Sequence, residues 1–117
     1  MFVEDDADFR RLMASLFDRQ SDLEVVAQAG SLEEAGRHAA SAGFDAAVLD
    51  LGLPDGDGAD LIAELRRVNP GMTVLIFSAS LDPASIEKAT HAGADEIMDK
   101  LSSLEEVLST VSRLGGV

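Results

Sequence analysis

Short apolar runs alternate along this chain with longer segments in which apolar residues recur every three or four positions. The runs cover residues 2–3, 23–29, 46–51, 72–78 and 96–98. Runs of this length are typical of buried strands, and a spacing of three and four is typical of helices with one apolar face. The pattern therefore predicts five strands, each followed by a helix. No repeat or internal linker interrupts it.

The predicted helices have apolar faces and recognisable ends. The faces comprise Phe9, Leu12, Met13, Leu16 and Phe17 in the first helix, Leu61, Ile62 and Leu65 in the third, and Leu104, Val107, Leu108 and Val111 in the last. Capping boxes are predicted for Ser31 with Glu34 and for Ser103 with Glu106, and a cap for Asp82 before Pro83. Gly43, Gly71 and Gly93 are predicted to close helices two, three and four in a left-handed conformation. Alternating strands and helices predict a parallel sheet that is covered on both faces.

Composition and charge exclude several kinds of function. The 117 residues fit one domain, and with 46% hydrophobic and 26% charged residues the chain reads as globular. Nine basic against 22 acidic residues give a formal net charge of -13. A surface of that sign repels phosphate backbones and anionic lipid, so we expect neither direct nucleic-acid binding nor membrane binding. The absence of cysteine excludes disulfides and thiolate metal sites and suits the cytoplasm.

Polar residues stand at the ends of four predicted strands. They are Glu4 and Asp5 after the first strand, Asp50 in the third, Ser78 in the fourth and Lys100 after the fifth. In an open parallel sheet, ligands bind beyond the carboxyl ends of the strands. We therefore expect three carboxylates, a hydroxyl and an ammonium to meet at one edge of the sheet.

The chemistry expected at this edge is phosphoryl transfer with a divalent cation. Three carboxylates close together repel one another unless a cation offsets their charge. Oxygen ligands without histidine or cysteine suit Mg²⁺, which also leaves room for phosphate oxygens. Ser78 and Lys100 are suited to stabilise a phosphoryl group in transfer. Asp50, at the end of the central strand, is the carboxylate best placed to form an aspartyl phosphate.

At these residues the chain resembles the receiver domain of two-component response regulators. The resemblance rests on the acidic pair Glu4-Asp5, on VLDLGLPDGDG around Asp50, on FSAS around Ser78 and on the DK that ends at Lys100. It implies a flavodoxin-like five-stranded parallel sheet of order 2-1-3-4-5 with five helices on both faces. It also implies a single receiver domain over residues 1–117, with residues 114–117 as a candidate start of a linker to an output domain. The loop sequence DLGLPDGDG is most similar to that of receivers joined to helix-turn-helix DNA-binding domains.

The resemblance further implies a reaction and its partners. A sensor histidine kinase or a phosphotransfer protein would donate a phosphoryl group to Asp50, and the domain would catalyse its own phosphorylation and dephosphorylation rather than act as an enzyme on other substrates. Mg²⁺ would be held by Glu4, Asp5, Asp50 and the backbone carbonyl of Gly52. Phosphorylation would switch an output surface in transcription regulation, through a homodimer or an effector.

The remaining residue roles also follow from the resemblance. Ser78 and the N–H of Ala79 would bind phosphoryl oxygens, and Lys100 would pair with one of them. Gly52 and Ser80 would tune the lifetime of the phosphate. Three features depart from the family pattern: Leu101 replaces the usual proline after the lysine, Ile97 replaces the aromatic residue common at the switch position, and few residues precede Glu4.

Other interpretations of these residues lead to different functions. A haloacid dehalogenase-type phosphatase also uses an aspartate at a strand end, but it needs a second aspartate where this chain has Gly52. A pseudo-receiver, which is a protein interaction module that never takes phosphate, is the main alternative. A calcium loop starting at Asp55 would need a glutamate where Arg66 stands, so Asp55 and Asp57 are interpreted as a solvated turn.

Several polar residues have simpler structural interpretations. Asp6 is predicted to cap the first helix, whose N-terminus favours negative charge. Lys100 alone could be a surface lysine, and Ser78 alone could bond to nearby backbone. His38 and His91 fall in helical segments apart from the acids and are given no role.

Overall fold

The computed structural model describes residues 1–41, 43–79 and 81–115 and contains, within them, seven short strands and five helices. The strands are β1 (Phe2–Val3), β2 (Gln28–Ala29), β3 (Ala46–Leu49), β4 (Gly52–Leu53), β5 (Gly56–Asp57), β6 (Thr73–Ser78) and β7 (Glu96–Asp99). The helices are α1 (Ala7–Asp18), α2 (Leu32–Ser41), α3 (Gly58–Val68), α4 (Pro83–Ala92) and α5 (Leu104–Gly115). Five of the strands form one sheet, and β4 and β5 form a separate hairpin.

The main sheet is parallel and has the predicted topology. Its order is β2-β1-β3-β6-β7, which is 2-1-3-4-5 when only its own strands are counted. Neighbouring residues of a strand point to opposite faces, so Leu49 and Ile76 pack with α2, α3 and α4, while Val48 and Phe77 pack with α1 and α5. The flavodoxin-like fold with helices on both faces is thereby confirmed.

Two predicted apolar segments differ from the structure. The second strand is shorter than residues 23–29, because β1 offers only Phe2 and Val3 as partners for Gln28 and Ala29. The predicted apolar face of the first helix is wrong at Leu12, which is 59% exposed although Met13 and Phe17 of the same helix are buried.

The predicted helix ends are partly confirmed. The Asp6 carboxylate accepts hydrogen bonds from the N–H groups of Asp8 and Phe9, and Asp82 caps α4 through the N–H of Ser85. Gly93 closes α4 with a φ of 109°. The left-handed conformation predicted for Gly43 and Gly71 is wrong, since neither has a positive φ.

The two predicted capping boxes have the serine contact in common. The hydroxyls of Ser31 and Ser103 accept the N–H groups of Glu34 and Glu106 at 3.1 and 3.2 Å. The Glu34 carboxylate, however, accepts the N–H of Gly30 and not that of Ser31. The second half of this capping box is therefore wrong, because the Glu34 carboxylate is bonded to the N–H one residue earlier.

The β4–β5 hairpin, which the sequence pattern did not predict, links the end of β3 to two helices. The carboxylate of Asp55 accepts hydrogen bonds from the backbone N–H groups of Leu32 and Glu33, at 2.8 and 3.0 Å, in the first turn of α2. Asp57 caps α3 through the N–H of Ala59 and pairs with Lys88 at 3.1 Å. The interpretation of these two acids as a solvated turn is confirmed for Asp55, which is exposed in the turn of the hairpin, but it is incomplete, because both acids also accept helix N–H groups.

Replacing Asp55 by alanine is expected to lower the stability of the domain at neutral pH and to lose this effect in acid. The hydrogen bonds from Leu32 and Glu33 hold the pKa of Asp55 below its ordinary value of 3.8. A lowered pKa adds stability above that value, and the contribution is lost as the pH falls through the folded-state pKa. Urea midpoints of wild type and Asp55→Ala should thus differ at about pH 6 and converge below 3.8. Asp55→Asn keeps one acceptor oxygen and should lose less; a difference that persists unchanged in acid would contradict this role.

Candidate functional site

The carboxyl ends of four neighbouring parallel strands bring the predicted polar residues together. Glu4 follows β1, Asp50 follows β3, Ser78 ends β6 and Lys100 follows β7. Ladder bonds fix these ends, since Asp50 donates its N–H to Val3 and Lys100 donates its own to Ser78. Glu4, Asp50 and Ser78 are 1%, 6% and 0% exposed. The sheet therefore places three polar side chains where apolar residues would normally stand.

Three donors from the described part of the chain hold the Asp50 carboxylate. The hydroxyl of Ser78 donates to its Oδ1 at 2.8 Å, and the backbone N–H of Gly52 donates to the same oxygen at 3.2 Å. The Lys100 ammonium donates to Oδ2 at 2.9 Å. Two of the donors come from the ends of β6 and β7, on one side of β3, and the third comes from the following loop, so the carboxylate has a fixed orientation.

Glu4 and Lys100 form the second half of the cluster. The Glu4 carboxylate accepts the N–H of Asp6 at 3.0 Å and also accepts a hydrogen bond from the Lys100 ammonium. Burial raises the pKa of Glu4, although its hydrogen bond with Lys100 acts in the opposite direction. Burial by itself would lower the pKa of Lys100, but the hydrogen bonds to Glu4 and Asp50 outweigh it and raise that pKa. Lys100 thus supplies the counter-charge for two buried carboxylates.

The acidic residues of this edge fit a hard divalent cation. Ligand oxygens of Glu4, Asp5 and Asp50 all lie within 4.8 Å of one another, and Asp5 is exposed on the open side. A set made only of carboxylate oxygens, with an open side for water and phosphate oxygens, is the donor chemistry that Mg²⁺ prefers. Because Lys100 already contacts Glu4 and Asp50, a cation has to share these carboxylates with the ammonium.

The backbone groups predicted for the site lie around this cluster. Gly52 begins β4 and is exposed, and a Cβ added to it would meet no atom within 4 Å. Ala79 is exposed directly after Ser78. Ser80, the second residue predicted to tune the lifetime of the phosphate, lies outside the described residues.

The two sequence departures near β7 have distinct surroundings. Ile97 pairs with Ile76 in the sheet and is half-buried against the core on the side of α2, α3 and α4. Leu101 is 91% exposed, and its N–H donates to the Asp99 carboxylate at 2.7 Å. A proline has no N–H to donate, so the turn after Lys100 uses a bond that the usual residue cannot make.

Two residues that sequence reasoning missed hold the backbone of the site. The guanidinium of Arg10 donates to the carbonyl of Glu4 at 2.6 Å. Gly58, at the start of α3, approaches the carbonyl of Asp50 so closely that an added Cβ would lie 2.1 Å from that oxygen. The second glycine of DGDG indicated a position where other backbone could approach closely. Its partner, the carbonyl of Asp50, could not be identified from the sequence.

Among the described residues, no helix is long and apolar enough to cross a membrane.

Comparison with known proteins gives consistent matches. The family model described as response regulator receiver domain matches residues 1–112. The transcriptional regulatory protein UhpA of Salmonella typhimurium is 31% identical over 109 residues, which are 93% of this chain and 54% of that protein. The chain thus spans about half the length of the curated relatives that it matches.

Two solved structures show the same architecture. A LuxR-family two-component response regulator from Aurantimonas sp. SI85-9A1 superimposes with a TM-score of 0.88 and 29% identity, over 97% of this chain and 81% of that one. A response regulator from Burkholderia pseudomallei, with a phosphorylated aspartic acid, a calcium ion and citrate, gives a TM-score of 0.84 and 27% identity, over 92% and 62%.

Proposed function

The chain belongs to the family of response regulator receiver domains, and from that premise we propose that Asp50 accepts a phosphoryl group in a Mg²⁺-dependent reaction. The observation that carries the proposal is the contact of one buried carboxylate with both a hydroxyl and an ammonium, at 2.8 and 2.9 Å from Ser78 and Lys100. Receiver domains interact with histidine kinases and with output domains. The donor that we propose is a sensor histidine kinase or a phosphotransfer protein.

Each residue of the cluster has its own role in the proposed phosphoryl transfer. An oxygen of Asp50 attacks phosphorus, an O–P bond forms, and the P–N bond of a phosphohistidine breaks with its electron pair returning to the histidine nitrogen. Glu4, Asp5, Asp50 and the Gly52 carbonyl would hold Mg²⁺, which supplies positive charge to the phosphoryl oxygens when bound. Ser78, the Ala79 N–H and Lys100 bind phosphoryl oxygens from the protein side.

Phosphorylation would change the contacts that hold the site in its present arrangement. It adds roughly two negative charges and new acceptor oxygens at Asp50, so Ser78 and Lys100 have new partners there. Their movement would bias the loops after β3 and β6 and alter an output surface. Ile97, on the strand next to Ser78, is the position that we propose for transmitting this change.

The output that we propose is transcription regulation by a longer protein. UhpA is a transcriptional regulatory protein, and this chain matches 54% of its length. With a net charge of -13, residues 1–117 would act as one receiver domain that does not bind DNA itself. DNA would be bound by an output domain joined after a linker starting within 114–117, of which 116–117 lie outside the described residues. Homodimerisation on phosphorylation and a cytoplasmic location are part of the same proposal.

Labelling with acetyl phosphate tests the proposal directly. Wild-type protein incubated with acetyl phosphate and excess Mg²⁺ should gain the mass of one phosphoryl group, and EDTA should prevent the gain. Asp50→Asn should not be labelled, whereas Asp60→Asn, which removes an exposed acid of α3, should be labelled like wild type. Wild type that stays unlabelled with donor and metal in excess would favour the pseudo-receiver.

A side chain at Gly52 is expected to change how long the phosphate lasts without unfolding the domain. The space around Gly52 is open, so glutamate or arginine can be accommodated there beside Asp50. Such a side chain would reach the path by which water approaches the aspartyl phosphate, and we expect a several-fold change in its half-life. The measurement is the decay of the labelled species by intact mass after the donor is removed. Equal half-lives for wild type, Gly52→Glu and Gly52→Arg would remove Gly52 from the proposed site.

A further inference from the structure

The ring of Phe9 lies against the ammonium group of Lys100. Phe9 stands in the first turn of α1, and its ring centroid is 5.2 Å from the Lys100 Nζ. A cation this close to the face of an aromatic ring is attracted by the ring's negative quadrupole. The contact joins the start of α1 to the residue after β7, two places far apart in the sequence.

Phe9 is itself fixed from two directions. Its backbone N–H donates to the Asp6 carboxylate at 3.1 Å, and its ring stacks on that of Phe77 with centroids 6.1 Å apart and an interplanar angle of 28°. Phe77 is 3% exposed and directly precedes Ser78. The ring therefore rests on the same strand that supplies the hydroxyl of the site.

The surroundings of Lys100 explain why such a ring would matter. Leu101 follows the lysine and is 91% exposed, so the next residue does not pack the lysine in place. The two ionic contacts of the ammonium are with Glu4 and Asp50, and Lys100 has to share both carboxylates with a bound divalent cation. The uncharged ring is a contact for which no metal ion competes.

We propose that Phe9 is a positioning residue that keeps the Lys100 ammonium aimed at Asp50 when metal and phosphoryl group enter the site. The inference rests on the proposed phosphorylation of Asp50 and adds a residue outside the segments that carry the resemblance, which are Glu4-Asp5, VLDLGLPDGDG, FSAS and DK. Phe9 does not touch the reacting atoms; it acts by limiting the positions that the lysine side chain can take.

The kinetic test compares an aliphatic and an aromatic replacement. Phe9→Leu keeps an apolar side chain but removes the ring, and its rate of labelling by acetyl phosphate at saturating Mg²⁺ should fall about fivefold. Phe9→Tyr restores the ring and should restore the rate. Phe17→Leu is the matched control, because Phe17 is a buried phenylalanine of the same helix that packs on Phe2. It should label at the wild-type rate under conditions where it is folded.

A spectroscopic measurement tests the contact without any phosphorylation. The chain has two lysines, Lys88 and Lys100, so their side-chain NMR signals can be assigned by substituting Lys88. The ε-methylene protons of Lys100 should be shifted upfield by the Phe9 ring in wild type, with and without Mg²⁺, and should lose this shift in Phe9→Leu.

Each result bears on the proposal. A Phe9→Leu variant that labels at the wild-type rate, a Phe9→Tyr variant as slow as Phe9→Leu, or Lys100 signals unaffected by removing the ring would overturn it. If wild type is not labelled at all, the proposed function fails, and the Lys100 shift in the presence of Mg²⁺ alone decides whether Phe9 positions the lysine.

Discussion

Replacing Gly58 by alanine is expected to lower the free energy of unfolding by about 1–3 kcal/mol and to displace Asp50. An added Cβ would lie 2.1 Å from the carbonyl oxygen of Asp50, 3.0 Å from its carbonyl carbon and 3.1 Å from the Cα of Leu51. All three atoms belong to backbone, which cannot rotate away as a flexible side chain would. The N–H of Gly58 also donates to the carbonyl of Leu51 at 2.9 Å, so the close approach is tied to the bond that closes the hairpin.

The direction of the stability change in Gly58→Ala distinguishes a backbone clash from an effect of helix propensity. Gly58 is the first residue of α3, and alanine is favoured over glycine in helices by about 1 kcal/mol, so propensity alone would make the variant more stable. Urea unfolding at constant m-value measures the change. Gly43→Ala is the control, because a Cβ there meets nothing within 4 Å, and it should be neutral or slightly stabilising. Gly58→Ala with wild-type stability and a wild-type labelling rate would show that the two segments can move apart.

The convergence of the site could be predicted because it follows from the topology. Once strands alternate with helices, right-handed crossovers make the sheet parallel, and the ends of neighbouring strands then lie together. Glu4, Asp50, Ser78 and Lys100 each stand at such an end, so their meeting needed no knowledge of side-chain packing. The structure adds the order of contacts, in which Lys100 bridges Glu4 and Asp50.

The role of the hairpin after β3 could not be predicted because its partners are distant in sequence. Asp55 caps α2 through N–H groups 22 and 23 residues away, and no local spacing encodes such a bond. Its residues, Asp, Gly and Pro, are typical of turns, and the two-residue strands are too short to give an alternating pattern. Gly58 was visible in the sequence, but the need for glycine depends on a backbone that approaches it only in the fold.

These hairpin contacts connect the loop after Asp50 to three helices. The Gly52 N–H contacts the Asp50 carboxylate at one end of the hairpin, while Asp55 holds α2 and Asp57 holds α3 and Lys88 at the other. A change in the hydrogen-bond partners of Asp50 would therefore affect Gly52, which belongs to a hairpin anchored to three helices. This connection supports the proposal that phosphorylation alters a surface rather than Asp50 alone.

Lys100→Met is expected to destabilise the domain strongly in the absence of metal and much less in its presence. Methionine is similar in size but carries no charge, so Glu4 and Asp50, which are 1% and 6% exposed, would face each other without a counter-charge. Removing one partner of a buried ionic contact costs about 3 kcal/mol or more. A cation that binds only the folded state adds stability, and in the variant it no longer has to share its carboxylates with an ammonium. Mg²⁺ should therefore stabilise Lys100→Met more than wild type.

Lys88→Met is the matched control for this prediction. Lys88 also contacts two acids, Asp57 and Asp60, but all three side chains are substantially exposed, and exposed ion pairs contribute little to stability. Urea midpoints of wild type and both variants, each with EDTA and with saturating Mg²⁺, give the comparison. A loss in Lys100→Met that is equal under both conditions, or no larger than that in Lys88→Met, would mean that the ammonium does not offset the carboxylates. If Mg²⁺ largely restores the stability of Lys100→Met while the labelling rate of this variant stays low, the two roles of Lys100 are separated. Its charge stabilises the metal-free fold, and its ammonium binds the phosphoryl group.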